Sequence, residues 1–180
     1  MRLVEQIHKE IVKLIKPGDF AIDATTGNGH DTLFLAACGA TVVGFDIQNL
    51  AIENTRRRLL EANYLNQVTL HEKGHEQMLE HIPNTWIGNV CMVMFNLGYL
   101  PGGDKKLTTR SDTTLQALEA TYSILKKGGY LSLVLYPDHE GGSGETNTVK
   151  EWITDSELSI MQHIRPAAHQ GPEWFLVQKL

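Results

Sequence analysis

The sequence predicts one α/β domain over residues 1–180: a mostly parallel seven-stranded sheet with helices on both faces, closed by an antiparallel C-terminal hairpin. Three observations predict it. Short apolar runs alternate along the chain with stretches of helical periodicity. The first five runs are apolar at consecutive positions, the pattern of strands buried on both faces. The last two runs are joined only by PAAHQGP, too short for a crossover helix, so they pair antiparallel.

In chain order, residues 4–15 (VEQIHKEIVKLI) space apolar side chains three to four apart and predict a helix, ended by Pro17-Gly18. FAIDAT, 20–25, is a strand that runs into TGNG. Residues 30–38 form a helix with Gly39 as its stop. TVVGFDI, 41–47, is the second strand, 49–63 a helix rich in Glu and Arg, and QVTLHE, 67–72, the third strand. A helix over about 75–82 precedes the fourth strand, NVCMVMFN, 89–96. Helix 111–126 starts at Ser-Asp and stops at Lys-Lys-Gly-Gly. YLSLVLY, 130–136, is the fifth strand; a helix near 145–155 and strands 158–164 and 173–179 complete the chain.

The hydrophobic share of 42% and charged share of 21% are those of a globular protein. No apolar run approaches the roughly 20 residues that span a bilayer, and the N-terminus lacks the apolar core of a secretion signal. A cytoplasmic location is therefore expected. Cys38 and Cys91 sit in apolar contexts and read as reduced, buried thiols. A net charge of −5 argues against broad, salt-driven nucleic-acid binding, while leaving room for a basic rim around one pocket.

The first strand ends in DATTGNGHDT, Asp23 to Thr32, with Gly27 and Gly29 in a turn that opens a helix. Glycines there let the backbone approach a ligand, and the helix N-terminus directs amides at it. A dinucleotide fingerprint requires a small third residue where this chain has Thr32. Asp23, four residues before Gly27, repels a pyrophosphate and suits an ammonium group. Charge thus favours S-adenosylmethionine over a nicotinamide cofactor. The turn residues Thr25, Asn28, Asp31 and Thr32 belong to the same expected cofactor site, as does Asn96. Asp46, at the tip of GFDIQ, is placed to accept hydrogen bonds from ribose hydroxyls, or to cap the following helix. Ile47 and Gln48 follow it against the adenine, with Gly74 and His75 on the other edge. HEKGH, 71–75, matches the H-E-x-x-H zinc pattern, but that pattern needs a helix and His71 belongs to a strand-type run, so no metal site is read here.

The fourth strand of a doubly wound sheet lies beside the first, so its end faces the cofactor. There the chain reads FNLGYLPGGDKK, 95–106. The Asn96 amide oxygen and a free backbone carbonyl can accept hydrogen bonds from a substrate N–H, so that Asn96, Gly98 and Tyr99 align the acceptor, with Leu97 also against the substrate and Tyr99 as a wall for a flat base. The reaction expected is an in-line methyl displacement governed by positioning. Asp104 or a histidine is the candidate proton acceptor. Lys105, Lys106 and Arg110 at the mouth suit a phosphate backbone, or form a solvated loop. Arg56, Arg57 and Arg58 point round a helix and read as solvated. His139, after the fifth strand, contacts substrate, relays a proton, or is a polar loop residue.

DATTGNGHDT, GFDIQ, KGHE, MFNLGYLPGGDK and TTLQALE together resemble the small bacterial methyltransferases called MnmM (YtqB), over most of residues 1–136. NLGY is also similar to the N-P-P-Y signature of amino-methylating enzymes. The resemblance implies a Rossmann-like class I methyltransferase fold. It further implies S-adenosylmethionine as cofactor, and N-methylation of the aminomethyl group of 5-aminomethyl-2-thiouridine at the tRNA wobble position. The partner implied is the anticodon region of tRNA, and the assembly a homodimer. The match departs at Pro137, Asp138 and Trp174, where the family shows other residues, while His139 and Phe175 keep their places. A methyltransferase acting on rRNA, a small molecule or a protein amine is the alternative, and a non-catalytic nucleotide-binding module the third reading.

Overall fold

The computed structural model describes residues 2–103, 106–138, 141–165 and 171–180. Its elements are α1 (Leu3–Ile11), β1 (Phe20–Asp23), α2 (His30–Ala37), β2 (Thr41–Asp46), α3 (Asn49–Glu61), β3 (Val68–Glu72), α4 (Met78–His81), β4 (Val90–Leu97), α5 (Ser111–Ile124), β5 (Leu125–Leu135), α6 (Gly142–Asp155), β6 (Leu158–Ile164) and β7 (Glu173–Lys179). They build one seven-stranded sheet in the order β3-β2-β1-β4-β5-β7-β6. The first five strands pair parallel, and β7 pairs antiparallel with both β5 and β6. The order reverses between β1 and β4, which puts a crevice at their C-terminal tips.

Consecutive residues of the central strands enter different cores. Ala21, Val42, Met92 and Met94 pack with Ile7 and Ile11 of α1 and Leu35 of α2. Their neighbours Ile22, Val43, Val93 and Phe95 pack with Ala117 and Leu118 of α5 and Val149 of α6. This is the physical content of the unbroken apolar runs: each face of the sheet has its own helical cover. Trp174, fully buried on β7, donates its indole N–H to Ser132 Oγ at 2.9 Å, so the core carries no orphaned donor there.

The expected stops hold except at two places. Helix α1 ends at Ile11, and residues 12–14 continue as turns. Lys126 to Gly129, expected to stop helix α5, instead form the first part of β5. Leu125 already has extended backbone, the Lys126 ammonium pairs with Asp19 at 2.9 Å, and the β4–β5 register shifts between Val90 and Met92. A Cβ on Gly129 would stand 2.9 Å from the Val90 carbonyl oxygen, so this irregular pairing needs the glycine. Both cysteines are unpaired, Cys91 buried and Cys38 half-buried.

Candidate active site

The turn between β1 and α2 is held from the neighbouring α3 and β2. Gly29 caps α2 in the left-handed region at φ +77°, and a Cβ there would meet the Thr55 backbone at 2.8 Å. Thr55 Oγ1 donates to the Gly27 carbonyl at 3.2 Å, and Arg58 Nε donates to the Asn28 carbonyl at 2.7 Å. The Gly27 N–H donates to Asp46 Oδ2 at 3.0 Å and the Gln48 N–H to Asp46 Oδ1 at 2.9 Å. One carboxylate therefore ties the β1 tip to the β2 tip. Burial raises the Asp46 pKa from its ordinary value, against the lowering effect of those N–H donors.

Beside this carboxylate lies a cleft of about 280 Å³. Ile47, 55% exposed, stands on its wall together with Gly74, His75 and Leu100. His75 packs edge-on against Phe95 with centroids 5.5 Å apart, and burial lowers its pKa. Its Nε2 is a buried polar atom without a hydrogen-bond partner among the described residues. Of the HEKGH histidines, His71 lies on β3 and His75 in a 3-10 turn, so they do not share a helix face.

A second cleft, about 670 Å³, opens between α1, the start of α2 and the tips of β4 and β5. The two clefts share Thr25, Gly27, Asn96, Gly98, Tyr99 and Pro101, so they meet at the end of β4. Here Asn96 is locked. Its backbone N–H donates to Thr25 Oγ1 and its Nδ2 to Asp31 Oδ2, each at 2.7 Å. A carboxylate only accepts, so the amide must turn its NH₂ to Asp31 and its Oδ1 away. Asp31 Oδ1 is 2.6 Å from His8 Nε2, and the His8 ring lies 3.9 Å from the Phe34 ring, nearly parallel. Tyr99, 42% exposed, is steadied by a bridge to Thr108. The loop behind it is moored by Thr109 Oγ1 to the buried Glu145, at 2.7 Å.

Several sequence expectations find different places. Asp23 lines neither cleft: it is fully buried beneath the turn, where it accepts from Thr32 Oγ1 at 2.6 Å and the Thr25 N–H at 3.2 Å. Burial, and then the nearby Asp31 charge, push its pKa up to about 7. Thr32 is likewise buried as its partner. Leu97 is 1% exposed and belongs to the core, not to a substrate wall. The free backbone carbonyl expected beside Asn96 is not found at the next two residues. Leu97 O accepts from the Tyr136 N–H, and Gly98 O from the Thr109 N–H and Thr108 Oγ1. Asp31 lines the larger cleft rather than the one beside Asp46, and Asn28 lies on its rim. Arg110 lines the smaller cleft and pairs with Asp112 at 2.7 Å, while Lys106 is exposed. Asp104, Lys105 and His139 lie outside the described residues.

The structure adds groups that sequence reasoning passed over. His8 and Tyr136 line the larger cleft. His8 sits in an amphipathic helix next to the core residue Ile7, with no local motif to single it out. Arg57 and Arg58, read as solvated and divergent, line one shallow polar pocket with His30, Asn28, Asn54 and Glu61. Arg58 is pinned to the turn while Arg57 stays at the surface, bonded to Asn54 Oδ1 at 3.1 Å.

A family model described as "Putative rRNA methylase" matches residues 42–175. The chloroplastic tRNA (mnm(5)s(2)U34)-methyltransferase of Arabidopsis thaliana is 43% identical over 160 residues, which cover 83% of this chain and 58% of that protein. The chain thus spans a little over half the length of that relative. A protein of the family's description from Clostridium thermocellum superposes with a TM-score of 0.91 at 36% identity, over 100% of this chain and 98% of its own. SMU.1697c from Streptococcus mutans, solved in complex with SAH, superposes at 0.88 with 29% identity, over 100% and 99%.

Proposed function

The chain belongs to the rRNA methylase family, and from that premise we propose that it is an S-adenosylmethionine-dependent N-methyltransferase. Its proposed acceptor is the aminomethyl group of 5-aminomethyl-2-thiouridine at the tRNA wobble position. The observation that carries the reading is the meeting of two clefts at Asn96, Gly98 and Tyr99. A nucleoside-sized slot and a larger acceptor cleft with a common wall are what a direct transfer between two bound molecules requires.

The residues suit the cofactor. An exposed Ile47 wall opposite Gly74 and His75 fits an adenine face, and the Asp46 oxygens retain lone pairs for ribose hydroxyls beyond the two N–H groups they already accept. Bound S-adenosylmethionine supplies a methyl group on a sulfonium. Asn96 Oδ1, fixed by the Asp31 bond, accepts an N–H of the acceptor and so aims its nitrogen. Tyr99 offers a ring to the uracil. Holding two reactants this way lowers a barrier mainly through orientation and exclusion of water.

The family description names rRNA. The wobble uridine is preferred because the 43% identical relative is named for it, and because the stretch MFNLGYLPGGDK contributes Asn96, Gly98, Tyr99 and Pro101 to the shared wall of the clefts. In this reading Arg57, in the shallow pocket that shares Asn28 and His30 with the larger cleft, meets the RNA phosphates together with His30. Lys106 is assigned the same role, as is Lys105, which lies outside the described residues. Among the described residues no helix is long and apolar enough to cross a membrane. A cytoplasmic homodimer is part of the proposal. Ile160 and Met161, about half exposed on the edge strand β6, favour the pairing, and light scattering tests it.

The deciding experiment is nucleoside mass spectrometry of tRNA carrying the unmethylated aminomethyl group, incubated with enzyme and methyl-labelled cofactor. Label in the wobble nucleoside is expected. Label only in rRNA or small amines would overturn the substrate, and no label in any acceptor would overturn the enzyme.

A further inference from the structure

We infer that Asp31 and His8 are the proton exit of the acceptor cleft: Asp31 takes a proton from the substrate's ammonium, and His8 passes it to water. This rests on the N-methyltransferase reading above. A primary alkylamine is protonated at neutral pH, as a lysine is with its pKa of about 10.4. An ammonium has no lone pair, so a group in the cleft must remove a proton before methyl transfer.

The candidates lining the cleft among the described residues are few. Glu5 is at the surface, bonded to Arg2 at 2.8 Å. His30 has its pKa lowered by burial and by the Arg58 charge, and its Nε2 lies 3.3 Å from the Arg58 guanidinium. Burial raises the pKa of Tyr136, leaving a phenol rather than a base. Asp31 remains, and it alone of these is bonded to Asn96, at 2.7 Å. An acceptor nitrogen held by Asn96 Oδ1 therefore has the Asp31 carboxylate alongside.

His8 completes the route. Its Nε2 is 2.6 Å from Asp31 Oδ1, its ring is clamped on Phe34, and 25% of its side chain is exposed. Asp31 is faced by His8 from α1, Asn96 from β4, Asp23 from β1 and Tyr136 after β5, with His30 its chain neighbour. His8 is the group among them that combines a direct bond to Asp31 with an exposed edge.

The step balances as follows. The ammonium gives one proton to Asp31. Asp31 gives it to Nε2 of His8 in the tautomer that carries its proton on Nδ1, that Nδ1 proton goes to water, and the new Nε2–H then donates to the ionised Asp31 Oδ1. The freed nitrogen lone pair, turned by rotation about the C–N bond, forms the new N–CH₃ bond. The S–CH₃ bond breaks with its electron pair left on sulfur, giving a neutral thioether and a secondary ammonium.

The test compares wild type, His8→Gln and Asp31→Asn. Glutamine keeps a donor for Asp31 but cannot titrate. In single-turnover transfer to aminomethyl tRNA, His8→Gln should be slowed about 10-fold or more at pH 7. The gap should close near pH 10, where the amine arrives already neutral. Separately, calorimetry of aminomethyl tRNA binding to the SAH complex, in two buffers of different ionisation enthalpy, should show proton release in wild type and none in Asp31→Asn. Equal release in both, or a pH-independent loss in His8→Gln, overturns the exit. So does a loss of SAH affinity above about 10-fold in His8→Gln, which would assign the pair to the cofactor's amino-acid tail. If wild type labels no tRNA, the substrate reading falls and the exit falls with it; if wild type labels tRNA while the variants keep its pH profile, only the exit falls.

Discussion

The cleft beside Asp46 and the cleft beside Asn96 share a wall, yet they are put together differently. The first is made of strand ends and turns: Asp46 ends β2, Gly27, Ile47, Gly74 and His75 follow strands of the sheet, and the pocket is braced by backbone N–H groups donating to one carboxylate. The second takes His8 from α1, Asp31 from α2, Asn96 from β4 and Tyr136 from beyond β5, joined by side-chain bonds that span 23 and 65 residues of sequence. A pocket of turns binds whatever presents matching hydroxyls and a flat face. A pocket of long-range side-chain bonds orients one atom. Damage to the first should therefore appear as lost affinity, and damage to the second as lost rate.

Asn96→Ala puts the largest strain on that contrast, because Asn96 lines both clefts. Methyl transfer at saturating cofactor should fall about 10²–10³-fold, the scale of losing one positioned polar group at a reacting centre. Cofactor affinity by calorimetry should stay within about 3-fold. A parallel collapse of affinity would erase the distinction between the pockets.

Asp23 lies under both clefts and touches neither, so its effect should be on stability. Its native pKa of about 7 exceeds the unfolded value of about 3.9. Between those values the native state binds more protons than the unfolded state, so stability falls as pH rises through this window, by up to about 1.4 kcal/mol per pH unit. His75, with its lowered pKa, works in the opposite direction at the acid end, so the comparison is with a variant. Asp23→Asn should gain stability relative to wild type between pH 4 and 7 and hold that gain above it, by urea denaturation. A constant difference across pH would remove Asp23 from this account.

Asp46→Ala probes the pocket of turns. Losing its proposed charge-assisted bonds to ribose hydroxyls should cost about 1.5–3 kcal/mol, or roughly 10- to 100-fold in cofactor affinity. The single-turnover rate at saturating cofactor should recover to within about 3-fold of wild type. A rate that does not recover would mean that Asp46 orients the reaction as Asn96 does.

The same contrast explains what could be read from the sequence. The strands were legible because consecutive apolar residues such as Ala21 and Ile22 need covers on two faces. The Gly29 turn was legible because only a glycine tolerates both its φ and the proximity of Thr55. Asp23 was misplaced because its charge was weighed without its burial. Lys126–Gly129 was misread because two glycines after a helix look like a stop, and only the Val90 carbonyl reveals them as a close strand crossing. His8 was invisible: nothing local in QIHKE marks a histidine whose partner is 23 residues away. Arg57 and Arg58 were dismissed on helix geometry alone, and their convergence depends on His30 and Asn28 of another element.

Arg57 gives the smallest effect and a test outside both clefts. It lines the shallow polar pocket beside Asn28 and His30, and neither of the two clefts, and its proposed role is to meet a phosphate of the bound RNA. Arg58 is unsuitable for the experiment because its Nε holds the Asn28 carbonyl at 2.7 Å, so its loss would disturb the turn. Among the described residues Arg57 bonds only Asn54 Oδ1 on its own helix, at 3.1 Å, and its removal is expected to have little structural cost. Arg57→Ala should weaken tRNA binding about 2- to 5-fold near 0.1 M salt, and reduce the slope of log affinity against log salt by about 0.7–0.9, the value of one phosphate contact. Cofactor affinity and the rate at saturating tRNA should not change. A slope equal to wild type would return Arg57 to a solvated helix face.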